Sequence, residues 1–162
     1  MKNILMIGTG GTIASQIRGD ALSPQLSPDE LLALVPAISK LCRVECISLF
    51  HVESTSMTPA HCVEITRGVR DNYEKYDGFV ISHGTDTMAY TAAALSYMIK
   101  GSVKPVILTG AQKPIGYDST DSKINLSDAF VCACADGMCG VNIVFNGRVI
   151  LGTRARKTHS KS

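Results

Sequence analysis

The chain has 162 residues, 45% of them hydrophobic, which fits one globular domain with a hydrophobic core of its own. Its 16 basic and 14 acidic side chains leave a net charge of +2, so overall charge favours neither nucleic acid nor an anionic membrane surface as a partner. No apolar run approaches the roughly 18 residues of a membrane helix, and the run beginning at Ile4 is too short for a signal peptide, so we expect a cytoplasmic protein.

Short apolar runs alternate with longer segments of helical spacing along the chain. The run from Asn3 to Ile7 predicts a strand that is buried on both faces. A helix is predicted to begin at Ser27-Pro28-Asp29-Glu30, which combines a capping serine, a proline at the first helical position and a glutamate that completes the capping box. Pro36 ends this helix near Val35.

The same alternation continues through the rest of the chain. Further strands are predicted at 43–49, 78–83, 105–109 and 141–145. Further helices are predicted at 58–73, 88–99 and 121–134. Alternation of buried strands with helices predicts a parallel sheet that is covered by helices on both faces.

The last strand is expected to run in the opposite direction. Asn146-Gly147 separates two apolar runs, and both residues tolerate the positive φ of a two-residue hairpin turn. The strand at 148–151 is therefore predicted to be antiparallel to its neighbour. The predicted fold is a three-layer α/β/α domain, flavodoxin-like or Rossmann-like, with a mostly parallel sheet that ends in an antiparallel hairpin. In such sheets, ligands bind outside the carboxyl ends of the strands.

The first strand ends in a glycine-rich turn, Gly8-Thr9-Gly10-Gly11-Thr12-Ile13-Ala14. Glycines there let the backbone turn sharply and approach a ligand closely. A dinucleotide-binding fingerprint, G-x-G-x-x-G, is one alternative, but Ile13 occupies its third glycine position and no helix clearly begins there. A plain glycine-rich turn is another alternative, and it leaves the two threonines unexplained.

The third predicted strand leads into a second motif, His83-Gly84-Thr85-Asp86-Thr87, directly before a helix. A threonine thus again lies at the carboxyl end of a strand, beside a carboxylate and near exposed amide N–H groups that favour developing negative charge. Asp86 and Thr87 could instead serve only as helix caps.

The chain ends in a charged segment from Gly152 to His159 that contains Lys157. Taken alone, this segment is typical of a solvated tail or a weak anion-binding patch. Taken with the two threonine motifs it indicates a hydrolase, because a threonine hydroxyl is a poor nucleophile until a base removes its proton. A lysine with a lowered pKa can act as that base, and an aspartate can orient it.

Six cysteines raise the alternatives of a disulfide framework or a metal site. Cys132, Cys134 and Cys139 lack a Cys-x-x-Cys pair and a nearby histidine, which disfavours zinc. Cys62 lies in a predicted helix, and the others, which include Cys42 and Cys46, have apolar neighbours. Reduced, buried thiols are the preferred interpretation.

With these motifs in order, the sequence resembles the bacterial-type L-asparaginase/glutaminase family, and more closely its cytoplasmic (type I) branch. The two threonine motifs carry most of the resemblance. Supporting matches are Asp77-Gly78-Phe79-Val80-Ile81, Met88-Ala89-Tyr90, Lys104-Pro105-Val106-Ile107-Leu108-Thr109-Gly110, Val144-Phe145-Asn146-Gly147 and Lys157. The resemblance covers essentially the whole chain, but it extends only to the larger N-terminal domain of that family, without the smaller C-terminal domain.

The resemblance implies the roles of individual residues. Thr12 would attack the side-chain amide of L-asparagine to give an acyl-enzyme, while Thr85, Asp86 and Lys157 would form a second catalytic group that moves protons. Backbone N–H groups near the two threonines would hold the oxyanion, and Gly11 and Gly84 belong to the substrate-binding set. Asp86 would also anchor the α-ammonium group, and Ser54 and Thr55 the α-carboxylate. Family mechanisms have been argued with either threonine as the nucleophile.

Two local departures from the family pattern affect these assignments. Many relatives carry a tyrosine on the loop after the first threonine, and 19–24 has none, which affects closure of the site and proton relay on that side. Relatives also often place an aspartate after the serine of the substrate segment, where this chain has Thr55.

The predicted function is hydrolysis of L-asparagine to L-aspartate and ammonia, with no metal or organic cofactor and with a homodimer or higher homo-oligomer expected by resemblance. In relatives the C-terminal domain completes the site of the neighbouring subunit, so the chain alone is predicted to be weakly active or inactive. Alternatives are a non-catalytic fragment or amino-acid-binding domain, an amidotransferase-type glutaminase subunit and, last, a nucleotide-binding module. Preference for asparagine over glutamine stays open, because one methylene is worth only about 1–3 kcal/mol in a pocket.

Overall fold

The structure is a computed structural model that describes residues 1–18, 21–23, 26–116 and 121–159. Its strands are β1 (Asn3–Gly10), β2 (Gln16–Arg18), β3 (Ala21–Ser23), β4 (Arg43–Val52), β5 (Gly78–Ser82), β6 (Pro105–Thr109), β7 (Gly140–Phe145) and β8 (Arg148–Leu151). Its α-helices are α1 (Pro28–Ala33), α2 (Ile38–Leu41), α3 (Pro59–Asp71), α4 (Met88–Met98) and α5 (Asp121–Cys134). Short 3-10 helices lie at Thr12–Ala14 and Ser54–Ser56.

The main sheet has six strands in the order β4-β1-β5-β6-β7-β8. Neighbouring strands from β4 to β7 are parallel, and β8 is antiparallel to β7. Asn146 and Gly147 adopt positive φ values of 49° and 70°, as the predicted hairpin turn requires. The mostly parallel sheet with a terminal antiparallel pair is confirmed.

Helices cover both faces of this sheet because its central strands are apolar on both sides. Met6 of β1 faces a core that contains residues of α1, α2 and α5. Leu5, the preceding residue, faces a second core with residues of α3 and α4. The molecule is therefore a three-layer α/β/α domain, as predicted.

The strand order places a crevice between β1 and β5. After β1 the chain adds β4 on one side of it, whereas β5 and the strands that follow extend the sheet on the other side. Connections that leave neighbouring parallel strands toward opposite edges of the sheet open a crevice at their carboxyl ends, and ligands bind there in open α/β sheets. The two threonine motifs follow these two strands.

Two helix starts are fixed by side-chain caps. Ser27 and Glu30 form the predicted capping box, but α1 ends at Ala33, and the short α2 that follows Pro36 was not predicted. Thr58 caps α3 in the same way with His61, whose ring replaces the usual glutamate or glutamine of the box.

The segment after Thr12, for which no helix or strand was predicted, contains regular structure. It forms the antiparallel pair of β2 and β3, a two-stranded sheet separate from the main one. Of the loop at 19–24, Gly19, Asp20 and Pro24 lie outside the described residues. The consequences of the missing tyrosine therefore stay a prediction.

The expectation of buried thiols holds for Cys42 and Cys62 and is wrong for Cys139, which is exposed. Cys46, Cys132 and Cys134 are half-buried, and burial raises the pKa of the Cys46 thiol to about 12. In the described ranges, no group of three or more histidine, cysteine or acidic side chains is placed to hold a metal ion. None of the described helices has the length and apolar character that crossing a bilayer requires.

Candidate active site

The ends of β1, β4 and β5 meet at backbone contacts that only glycine permits. A Cβ on Gly11 would lie 2.5 Å from the backbone nitrogen of Gly84, and a Cβ on Gly84 would lie 2.5 Å from the Cβ of Ser54. Gly11 also has φ of +86°, which side chains rarely adopt. These contacts bring the residues after each glycine, Thr12 and Thr85, to the same crevice.

Thr12 opens the 3-10 helix at the end of β1 and is half-buried. Its hydroxyl makes no hydrogen bond to any other described residue. Nearby, the Thr9 hydroxyl donates to the carbonyl of Ser82 at 2.6 Å, which fixes the end of β1 to the end of β5. The structure thus holds the backbone around Thr12 firmly and leaves its side chain uncommitted within the described part of the chain.

Thr85, Asp86 and Lys157 form a compact polar group at the end of β5. The Lys157 ammonium donates to Thr85 Oγ1 at 2.9 Å and to Asp86 Oδ1 at 2.6 Å. The Lys157 side chain is 23% exposed and that of Asp86 55% exposed, so the pair lies at the mouth of the crevice. The group joins residues that are 71 and 72 positions apart in sequence.

Electrostatics keep Asp86 ionised. The hydrogen bond from Lys157 is the main cause that lowers the pKa of the Asp86 carboxyl below its usual value of 3.8. Burial is the second-largest cause and raises the pKa, whereas the charge of Lys157 and a hydrogen bond with Ser54 lower it further. Asp86 is therefore a carboxylate at neutral pH and presents negative charge at the crevice.

Ser54 connects the end of β4 to this group. It is 6% exposed, its hydroxyl accepts a hydrogen bond from the Asp86 backbone N–H at 3.1 Å, and its carbonyl accepts one from the Thr87 hydroxyl at 2.7 Å. Thr55 is exposed, and no hydrogen bond between described residues joins it to the group. The structure brings Ser54 to the predicted site and leaves Thr55 at its edge.

A cavity of about 750 Å³ opens beside Thr85 and Lys157. Its walls include apolar residues of α4, β7 and β8, and basic side chains such as Arg148 and Arg156 lie around it. Thr12 is not among the lining residues. Of the two threonines, Thr85 therefore borders this cavity and Thr12 does not.

Two alternative interpretations of the motifs can be compared with these contacts. The Thr87 side chain makes no capping bond to α4, because its hydroxyl donates to Ser54, and the Asp86 carboxylate pairs with Lys157. Capping therefore does not explain this motif. In the charged segment, Arg154 and Arg156 are exposed whereas Lys157 is half-buried, so a solvated tail describes only part of it.

Sequence reasoning named His83 and Gly110 as members of matching segments and gave neither of them a role. His83 is fully buried, and its Nδ1 lies 2.6 Å from the Gly84 carbonyl oxygen. A Cβ on Gly110 would lie 2.3 Å from the carbonyl oxygen of His83, so the end of β6 packs directly against the backbone of this motif. The adjacency of His83 and Gly84 in sequence was the only signal for the contact between the ring and the Gly84 carbonyl. No sequence signal indicated that Gly110 packs against the backbone of His83.

A family model described as asparaginase, N-terminal, matches residues 3–162. The L-asparaginase of Thermococcus kodakarensis is 39% identical over 158 residues, which are 97% of this chain and 48% of that protein. A glutamyl-tRNA(Gln) amidotransferase subunit from Pyrococcus furiosus is 38% identical over 170 residues, which cover 99% of this chain and 39% of that protein.

Solved structures agree with these sequence matches. The T. kodakarensis enzyme superposes with a TM-score of 0.92 over 99% of this chain and 49% of its own. A probable cytoplasmic L-asparaginase from Campylobacter jejuni superposes with a TM-score of 0.89 at 29% identity, over 100% of this chain and 50% of its own. The chain spans about half the length of these asparaginases or less. Sequence, fold and strand-end motifs together show that this chain belongs to the asparaginase family and matches the N-terminal part of that family's proteins.

Proposed function

We propose that the chain provides the amide-hydrolysing residues of an L-asparaginase, which converts L-asparagine and water to L-aspartate and ammonia. The observation that carries the proposal is the contact of Lys157 with both Thr85 and Asp86 at the crevice between β1 and β5. A hydroxyl, an amine and a carboxylate in hydrogen-bond contact are the parts that activation of a threonine and transfer of its proton require.

In the proposed reaction, Thr12 Oγ attacks the side-chain carbonyl carbon of asparagine. The C–N bond breaks, ammonia leaves with a proton that the site supplies, and an ester links aspartate to Thr12. Water then attacks this ester and releases L-aspartate. The uncommitted hydroxyl of Thr12 supports its assignment as the nucleophile, since it does not have to leave a hydrogen-bond partner among the described residues.

Thr85 and Lys157 are proposed to carry the protons. In the structure Lys157 donates to Thr85 Oγ1, so proton removal needs the reverse arrangement, in which the Thr85 hydroxyl donates to a neutral amine. Thr85 would then remove a proton from the attacking group and return it to the leaving ammonia. The N–H of Thr85 donates to no described residue and is available for the developing oxyanion.

The charges of the site match an amino-acid substrate. Asp86 is ionised and 55% exposed on its side chain, so it can bind the α-ammonium group of asparagine while it pairs with Lys157. Ser54 and Thr55 are proposed to bind the α-carboxylate. The close contacts of Gly11 and Gly84 would let the substrate lie directly against the backbone.

The proposal also includes a homo-oligomer, expected from the family resemblance, low activity of this chain by itself, and a cytoplasmic location. Matches that span only about half of each asparaginase support the low activity, and the probable cytoplasmic enzyme from C. jejuni supports the location. The similarity to an amidotransferase subunit keeps one other candidate, a glutaminase that supplies ammonia to a partner enzyme. A non-catalytic amino-acid-binding domain is the remaining alternative.

Ammonia release from L-asparagine and from L-glutamine by the 162-residue chain tests this function. Thr12→Ala and Lys157→Met are expected to lower release by at least about 1,000-fold and 100-fold respectively. Thr153→Ala and Lys100→Met are matched controls at exposed positions outside the crevice, and they should leave the rate unchanged. Circular dichroism of each variant checks the fold.

Release that both site variants abolish would establish the hydrolase and show that these residues suffice. Folded chain that binds asparagine without releasing ammonia would favour the binding domain. Release from glutamine in clear preference to asparagine would favour the amidotransferase-type glutaminase.

A further inference from the structure

His83 has no role in the proposed reaction, yet it lies directly before the Gly84-Thr85-Asp86 segment and is completely buried. Its backbone N–H donates to the carbonyl of Thr109 at 2.9 Å, and its carbonyl packs against Gly110. The end of β6 therefore fixes the position of His83. A residue held in this way can fix the backbone position of the Gly84-Thr85-Asp86 segment that follows it.

The hydrogen-bond pattern defines the state of the His83 ring. Nδ1 lies 2.6 Å from the Gly84 oxygen, and a carbonyl only accepts hydrogen bonds, so Nδ1 carries the proton. Burial lowers the pKa of the ring below its usual value of 6.5, so the imidazole is neutral at neutral pH. Nε2 is then the unprotonated nitrogen, and it has no partner among the described residues. The bond from Nδ1 alone thus sets the polar orientation of the ring.

We propose that His83 is a positioning residue, whose Nδ1–H holds the Gly84 carbonyl and thereby aims the Thr85 backbone N–H into the crevice. The carbonyl of Gly84 and the N–H of Thr85 belong to one planar trans peptide and point in opposite directions. Gly84 has no side chain to restrict its dihedral angles, so a fixed carbonyl is a direct way to fix this plane. The inference rests on the proposed function, because the Thr85 N–H matters there as an oxyanion donor.

Two substitutions of similar shape at His83 distinguish a positioning role from a role in stabilising the fold alone. His83→Asn keeps an N–H donor at the position of Nδ1, whereas His83→Leu places a methyl group there. Leucine is at least as favourable as asparagine in a buried position, because an amide without all its partners costs free energy. If His83 only supported the fold, the leucine variant would therefore be at least as active as the asparagine variant.

The positioning role predicts the opposite order. Relative to the parent, His83→Leu is expected to lower kcat for asparagine by about 10- to 100-fold. The reason is that the Thr85 N–H stabilises the transition state, and a misaligned N–H loses this stabilisation. KM should change little. His83→Asn should recover most of the parent's kcat, although its thermal unfolding midpoint should be no higher than that of His83→Leu. Equal kcat values for the two variants, or a higher value for leucine, would overturn the inference.

Nuclear magnetic resonance decides the inference even if the parent releases no ammonia, which would count against the proposed function alone. In the ligand-free chain, one-bond ¹⁵N–¹H coupling should place the ring proton on Nδ1. The Thr85 and Asp86 amide signals should shift in His83→Leu and return toward the parent in His83→Asn. A ring proton on Nε2 would contradict the positioning role, and so would Thr85 and Asp86 amide signals that stay unchanged in His83→Leu.

Discussion

Thr12 and Thr85 occupy equivalent places and have very different surroundings. Each follows a glycine at the carboxyl end of one of two adjacent parallel strands. Thr85 contacts Lys157 at 2.9 Å and precedes an ionised Asp86, whereas the Thr12 hydroxyl bonds to no described residue. The two hydroxyls thus follow equivalent strand ends, but among the described residues only that of Thr85 contacts a charged side chain.

This difference teaches that a residue type and its place in the fold do not define its chemistry. A threonine whose hydroxyl already accepts from an ammonium group is suited to pass protons along that bond. A threonine without such a partner is suited to attack a substrate once a proton acceptor is brought to it. We therefore assign proton transfer to the Thr85 side of the crevice and nucleophilic attack to the Thr12 side.

The largest expected effect concerns whether Thr85 and Lys157 act together in one proton path. Thr85→Val and Lys157→Met should each lower kcat by about 100- to 10,000-fold, because either change breaks the same proton path. The double variant should be little worse than the poorer single variant, since residues that act as a unit are strongly non-additive. Steady-state kinetics of the three variants measures this. Fully multiplicative losses would show that the two residues act independently.

A smaller effect is expected for the glycine contact that brings the two sides together. In Gly84→Ala the new methyl group would lie 2.5 Å from the Cβ of Ser54, so the free energy of unfolding should fall by about 1–3 kcal/mol. Gly116→Ala is the matched control, because no described residue apart from its chain neighbours lies within 4 Å of its added carbon and its φ is not positive. Urea denaturation measures both. Equal stability of the two variants would mean that the strand ends are not tightly packed at Gly84.

The smallest effect concerns the charge of Asp86. Its carboxyl pKa should lie below 3.8 in the parent and rise toward that value in Lys157→Met, which removes the main cause of the shift. Because the folded-state pKa is lowered, the pair stabilises the fold above the ordinary pKa and loses this contribution as pH falls through the folded value. The gain is small, since the Asp86 side chain is 55% exposed. A ¹³C titration of the carboxyl group that gives the same pKa in both proteins would contradict the pairing.

The sequence predicted the main sheet well because its signals are local. Apolar runs predicted β6 and β8 with their observed bounds, and helical spacing did the same for α5. Asn146-Gly147 determined the direction of the last strand, because few dipeptides accept two positive φ values. The pair of β2 and β3 was missed because each strand has only three residues, which is too short for a periodic pattern of apolar residues to be recognised.

At the site, residue types were predictable from the motifs, whereas contacts were not predictable from spacing. Two threonine motifs at strand ends pointed to Thr12 and Thr85. The resemblance grouped Lys157 with Thr85, and the fold shows their contact across 72 residues of sequence. Ser54 was assigned by resemblance, and its bonds to Asp86 and Thr87 arise from the packing of β4 beside β1. His83 was named in the second motif but was given no role, because the sequence does not show that its ring is buried against the Gly84 carbonyl.

Mapping a covalent adduct tests most directly the claim that Thr12 is the nucleophile and Thr85 transfers protons. An asparagine analogue with an electrophilic diazoketone in place of its side-chain amide should label the nucleophile, which mass spectrometry of peptides can then identify. We expect the label on Thr12 in the parent, slower labelling in Lys157→Met, and none at that position in Thr12→Val. A label on Thr85, with Thr12 unmodified, would contradict the account.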